Sequence, residues 1–194
     1  MLKLINDSLD RTFSPTSKYL HFSLIFLIIF QIILSEFMEV SSSGVIGQSA
    51  VEYSSTWLHI GTGLLLFCLS LVFTSIEFKK NGFLHFYPYA VGDFSQLKSD
   101  INQLKIMELP EPAPRGLAAI VQGLGLGALL LVVISGGTWF ALWFNDASLA
   151  NAFKEIHESL TGLIEIYIIG HGALGLLHFL IEYQNRKSPS SKYR

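Results

Sequence analysis

The stretch "KEIHESLTGLIEIYIIGHGALGLLHFLIEY", residues 154–183, decides the fold. It is apolar and long enough to cross a bilayer, yet it holds His157, Glu165, His171 and His178. An ionisable group in hydrocarbon is costly and as a rule serves a function there. His157 and His171 stand fourteen residues apart. At 1.5 Å and about 100° per residue, that spacing is about 21 Å along a helix and returns to within about 40° of the starting direction. Both side chains therefore leave one flank of one helix, at two depths.

The rest of the chain has the same character. Of its 194 residues 51% are hydrophobic and 14% charged, with a mean hydropathy of +0.47, whereas roughly a quarter of a soluble domain is charged. Apolar runs at 19–38, 57–78, 117–144 and 153–183 each reach the roughly 20 residues that a spanning helix needs. The expectation is an all-α integral membrane protein, a four-helix bundle forming a single membrane domain. The first run is too long for the core of a cleaved signal and no A-x-A site follows it, so it reads as a retained span. Cys68 is the only cysteine, which excludes an internal disulfide and a thiolate metal cluster.

Charge sets the orientation. Twelve of the thirteen Lys and Arg residues fall in three segments: Lys3, Arg11 and Lys18; Lys79, Lys80, Lys98, Lys105 and Arg115; and Arg186, Lys187, Lys192 and Arg194. Lys154 is the exception. The positive-inside rule then makes both termini cytoplasmic and 79–116 an inner loop, with Trp57, Trp139 and Trp143 in a belt at the outer boundary. Within the loop, "DFSQLKSDINQLKIM" (93–107) sets Phe94, Leu97, Ile101, Leu104 and Met107 near one helical face behind Asp93 as N-cap, an amphipathic helix for the membrane surface. Residues 184–194 read as a polar tail. No nucleotide-binding glycine loop and no hydrolase motif is present, and nucleic acid is not among the expected partners; the lipid bilayer is.

In this topology His21 lies near the inner end of the first span and His59 near the outer end of the second, matching His171 and His157 in depth. Pairing His21 with His171 and His59 with His157 gives two histidine pairs, one near each face. A haem iron with two axial imidazoles needs one histidine on each side of the porphyrin, and two such pairs make a path for electrons across the membrane. The bland alternative, core histidines bonded to backbone, fits any one of them but fits four at matched depths poorly. His178, seven residues beyond His171, matches the depth of His21 as well and stays open as the inner partner. His85 reads as a solvated loop histidine. Gly61, Gly63 and Gly172 would leave room for a flat macrocycle, and equally for close helix packing. Lys18 is a candidate for a haem propionate or an anchor at the boundary. Glu165, offset by about 80° from His157, is a candidate proton relay.

The patterns "LHFSLIF" (20–26), "WLHIGTG" (57–63) and "IHESLTGLIEIYIIGHG" (156–172) resemble the prokaryotic cytochrome b561 family, which includes the cytochrome b subunits of nickel–iron hydrogenases. The resemblance covers roughly residues 15–185. It implies four helices with two b haems held by His21, His59, His157 and His171, which favours His171 over His178. Lys18 and Phe22 depart from the Arg and Trp that many members carry there. The resemblance further implies a bacterial inner-membrane electron carrier between quinone and a partner redox protein such as a periplasmic cytochrome c. Two rival expectations stand beside it. One is a superoxide:quinone oxidoreductase, disfavoured because Glu36, Glu39, Glu52, Asp146, Glu155 and Glu158 crowd the outer face and repel an anion. The other is a haem-free transporter or scaffold.

Overall fold

The computed structural model describes residues 14–187. The basic residues Lys3, Arg11, Lys192 and Arg194 lie outside the described residues, as does the side chain of His178.

Four long helices dominate, and their ends are set by local chemistry. Helix α1 (Pro15–Ser35) begins four residues before its apolar run. Pro15 supplies a preset φ at the first position, and Ser14 Oγ accepts from Ser17 N at 3.2 Å. Helix α2 (Ala50–Asn81) extends past its apolar run at its N-terminal end. Ser49 and Glu52 form a reciprocal capping box there, with Glu52 N to Ser49 Oγ at 3.2 Å and Ser49 N to Glu52 Oε2 at 3.1 Å. A one-turn helix, α3 (Phe83–Phe86), a 3-10 turn (Pro88–Val91) and helix α4 (Ser95–Lys105) make up the inner loop. Helix α5 (Leu117–Phe144) has the bounds its apolar run predicts. Helix α6 (Ala150–Lys187) runs for 38 residues, so residues 184–187, expected to open the tail, continue the helix.

The chain is all-α and folds as a membrane four-helix bundle. Among the described residues the close backbone contacts between spans join α1 to α2, α2 to α5 and α5 to α6, and α6 stands off from α1 and α2. Leu24, Leu27, Leu66, Phe73, Leu129 and Ile164 belong to the core. Outward-facing Tyr19, Phe26, Ile166 and Ile169 are each more than two-thirds exposed, a surface that suits lipid and not water. Hydroxyls along the spans bond carbonyls of their own helix, as with Ser70 Oγ to Leu66 O at 2.7 Å and Thr62 Oγ1 to Leu58 O at 2.6 Å, since hydrocarbon offers no other acceptor.

The inner loop is clamped to α5. Phe86 is fully buried against Gly123, where a Cβ would come within 2.8 Å of the Phe86 Cβ. Tyr87 Oη donates to Gly123 O at 2.7 Å. The N-cap of α4 is Phe94 and not the expected Asp93, although Asp93 Oδ1, one residue earlier, accepts from Ser95 N at 3.1 Å. Ser95 and the Arg115 guanidinium, 3.0 Å away, hold the Asp93 carboxyl below the usual carboxylate range. The expected apolar face is partly realised. Phe94, Ile101 and Leu104 stay exposed, while Met107 lies past the helix end at φ 62° and is almost wholly exposed. The residue that α4 turns inward is Asp100, only 2% exposed. Its Oδ2 accepts from Leu117 N at 2.7 Å and its Oδ1 from Gln96 Nε2 at 2.8 Å. It thus caps α5 from a distant helix and places negative charge at the positive end of the helix dipole.

At the other end the loop 36–49 closes with an isolated bridge between Val40 and Ile46. Trp143 Nε1 donates to Gly44 O at 2.8 Å, and Trp57 and Trp139 pack on Trp143 with ring centroids 5.9 and 5.8 Å away.

Replacing Asp100 by alanine is expected to lower stability by about 1–2 kcal/mol, the value of a lost helix cap. Asn at the same place should cost less because it keeps an acceptor. Thermal unfolding of the detergent-solubilised chain reads this directly, and an unchanged midpoint in D100A would contradict the capping role.

Candidate functional site

The space between α6 and the first two helices is spanned by histidine rings. His21 on α1 faces His171 on α6 with ring centroids 6.3 Å apart and planes at 73°. His59 on α2 faces His157 on α6, also at 6.3 Å, with planes at 81°. The structure therefore brings His21 to His171 and His59 to His157. Depth leaves His178 open as the partner of His21; its side chain lies outside the described residues, and His171 is seen opposite His21. His85 stays in the inner loop, edge-on to Phe86 at 4.7 Å, and burial holds its pKa below the ordinary value although Glu77 works the other way.

The outer pair opens into a cavity of about 530 Å³, within the usual range for a bound organic ligand. Its walls include His59, His157, Gly63, Gly136, Trp139 and Phe140. Glu36, Glu39, Glu158, Glu165 and Lys154 also line it. Glu165, which the helical offset did not require to face the site, thus lies on the cavity wall. Lys154 Nζ is 3.2 Å from Glu158 Oε1.

Each outer histidine is held from its own side. His157 Nδ1 lies 3.0 Å from Val132 O and 3.1 Å from Ser135 Oγ. Ser135 Oγ donates its own proton to Val132 O at 2.9 Å, so the bond between Ser135 and the ring runs from the imidazole N–H to the hydroxyl oxygen. The proton therefore sits on Nδ1, and Nε2 keeps its lone pair. A Cβ at Gly136 would come within 2.8 Å of His157 Cε1, which is why only glycine fits beside this ring. On the other wall Gln31 Nε2 donates to His59 O at 3.0 Å and to Thr62 Oγ1 at 2.8 Å, tying α1 to the turn of α2 that carries His59. His59 Nδ1 is buried with no partner among the described residues.

The inner pair is set differently. His21 has the Phe73 ring 6.1 Å away. Tyr167 stacks on His171 with centroids 5.1 Å apart and planes within 15°. Lys18 lies one turn before His21 and is half-buried. Of the glycines singled out in the sequence, Gly63 contacts Gln31 Nε2, at 3.4 Å from a Cβ built there, and Gly61 and Gly172 face nothing within 4 Å.

Several observations test whether these residues suit a haem. Two imidazole nitrogens on opposite faces of one iron, each about 2 Å from it, hold their ring centroids roughly 6 Å apart, and both pairs have that separation. An edge-on aromatic contact also spans this distance, so the separation alone does not decide. Among the described residues no three His, Cys, Asp or Glu side chains converge as metal ligands. Each site thus offers two protein nitrogens, too few for a bare first-row ion but the number that a macrocycle with four nitrogens of its own requires. The cavity, the free Nε2 of His157 and the unpartnered Nδ1 of His59 distinguish the outer pair from bonded core histidines. The residues fit.

Sequence reasoning missed Gln31, Ser135, Gly136 and Tyr167. The run "SGGT" at 135–138 was the legible sign, a polar and small interruption in the most apolar helix. Tyr167 is one turn before His171, a spacing at which side chains meet. Nothing in the order of residues announced that Gln31 reaches α2.

The profile of the family described as prokaryotic cytochrome b561 matches residues 12–185. No curated protein and no solved structure matches the chain.

Proposed function

The chain belongs to the prokaryotic cytochrome b561 family, and from that premise we propose that it is a transmembrane di-haem cytochrome b exchanging electrons between the quinone pool and a partner redox protein. His21 and His171 hold one haem, and His59 and His157 the other. The observation that carries this reading is the pair of equal 6.3 Å ring separations, with α6 giving one histidine to each.

Held by two histidines each, the haems would supply one-electron transfer and not oxygen binding. The chain does the rest. Val132 O and Ser135 Oγ hold the His157 proton on Nδ1 and aim Nε2 into the cavity. Gln31 fixes the His59 turn against α1. Trp139 and Phe140 give the cavity wall an apolar surface. Lys18 is the cation placed for a carboxylate near the inner pair. Gly61 and Gly172 keep their faces open, and Gly63 keeps the wall thin. Glu165, on the cavity wall, serves as a carboxylate that takes up or releases a proton when quinone chemistry requires one.

The positive-inside distribution of Lys and Arg puts both termini in the cytoplasm and the His59–His157 pair near the outer face. The residues lining the outer part of its cavity then include three carboxylates, Glu36, Glu39 and Glu158, and one amine already engaged by Glu158. That charge suits a basic soluble partner, such as a periplasmic cytochrome c, and repels superoxide. The superoxide-oxidising and haem-free readings are the weaker for it and for the fit of the site.

Single histidine substitutions test the assignment. In reduced-minus-oxidised spectra with haem counts, H59A and H157A are expected to lose the same one of two b haems, H21A and H171A the other, and H178A neither. Loss of a haem in H178A with retention in H171A would overturn the inner pair. In the same preparations, the rate of electron exchange with a basic cytochrome c should fall as ionic strength rises; a flat dependence would contradict a partner steered by these carboxylates.

A further inference from the structure

Helix α5 contributes no histidine, yet it touches the setting of His157 and His171 on α6. Gly136 borders the His157 ring directly. Gly125, eleven residues earlier, returns to within about 20° on the same helical face. What it borders is the Tyr167 ring, which occupies the space a Cβ at 125 would need. On the antiparallel α6, Tyr167 follows His157 by ten residues, so the two contacts run in register along the α5–α6 seam. One glycine seats a histidine, and the other seats the ring on which a histidine is stacked.

We propose that Tyr167, seated in the notch that Gly125 leaves in α5, is a positioning residue that fixes the ring plane of His171 and with it the crossed setting of the inner histidine pair. The inference rests on the di-haem reading above. A histidine ring is attached through a broad, roughly two-fold terminal torsion, so its plane is chosen by its neighbours. For His157 the choice is made by hydrogen bonds at Nδ1. For His171 it is made by a ring lying within 15° of parallel at 5.1 Å, an offset-stacked separation. The Cε2, Cζ and Oη atoms of Tyr167 lie in the space a Cβ at Gly125 would take, so the ring is held against α5. The plane of His171 then lies at 73° to that of His21.

The two steering devices act on different properties. A hydrogen bond at Nδ1 makes an imidazole a stronger donor to its metal. A stacked ring leaves the nitrogens alone and sets the angle at which the imidazole π system meets the iron. Crossed and parallel imidazoles give a low-spin ferric haem distinguishable electronic structures, with crossed planes producing the more anisotropic one. The inner pair is therefore controlled by geometry passed through a tyrosine, and the outer pair by proton placement.

Electron paramagnetic resonance of the purified, full-length ferric protein tests this, on wild type, Y167F, Y167L and G125A, each with a haem count. Y167F keeps the ring and should match wild type. Y167L and G125A should each shift the low-spin signal of one haem toward the less anisotropic form and leave the other signal in place. The proposal is overturned if both signals keep their wild-type positions in Y167L and G125A, or if both signals move together, as a general loosening of the bundle would make them. Should Y167L fail to accumulate, G125A alone decides, by the same shift or its absence. A wild-type chain with no haem would instead refute the functional reading itself, a failure that the count separates from unaltered signals in a two-haem protein.

Discussion

An imidazole inside a bilayer has no water to bond, and leaving its polar nitrogen unpaired there costs several kcal/mol by the order-of-magnitude transfer values for polar groups. Five histidines lie in the spans of this chain, and among the described side chains four, on three helices, face one another in pairs. Because α6 supplies one ring to each pair, His157 and His171 must leave the same flank at two depths, which fixes the fourteen-residue spacing. Because each pair must face across a space and not collapse onto itself, α6 cannot pack closely on α1 or α2. It leans instead on α5.

That leaves α5 as the element on which the rest is measured. Membrane helices gain little from the hydrophobic effect against one another and associate through close packing and hydrogen bonds. In α5 the close approaches occur at Gly123, Gly125 and Gly136, which receive Phe86, Tyr167 and His157. The inner loop grips the same helix through Phe86, Tyr87 and the Asp100 cap, and Trp143 pins its outer end to the hairpin at Gly44. A helix held at both ends is a firm reference from which to orient ligands on its neighbour. On the opposite wall, Gln31 joins α1 to α2 beside His59, so the two walls of the outer cavity are separately braced.

Much of this was legible in order of residues alone. Four apolar runs gave the spans, since membrane thickness translates directly into helix length, and α5 has the predicted ends. The outer histidine pair followed from depth and helical angle, because both are fixed by the regular rise and twist of a helix. For the inner pair depth left His171 and His178 open, and the family resemblance favoured His171. What escaped reading was of two kinds. Helix ends depended on local caps outside the apolar runs: the Ser14–Pro15 start of α1 and the Ser49–Glu52 box of α2 were present in the sequence but masked by attention to hydropathy. The orienting contacts depended on long-range register. Ser135 against His157, Gly125 against Tyr167 and Asp100 against Leu117 join residues whose proximity follows only once neighbouring helices are packed. Met107 shows the limit from the other side: its place on the predicted face assumed two more helical residues than α4 has.

The central claim is that each of the two facing histidine pairs holds one haem. A pyridine haemochrome count on the purified wild-type chain, made beside its reduced-minus-oxidised spectrum, tests it most directly. The account predicts two b-type haems per chain. One haem would contradict the claim for one pair, and a colourless protein from haem-replete cells would contradict it for both.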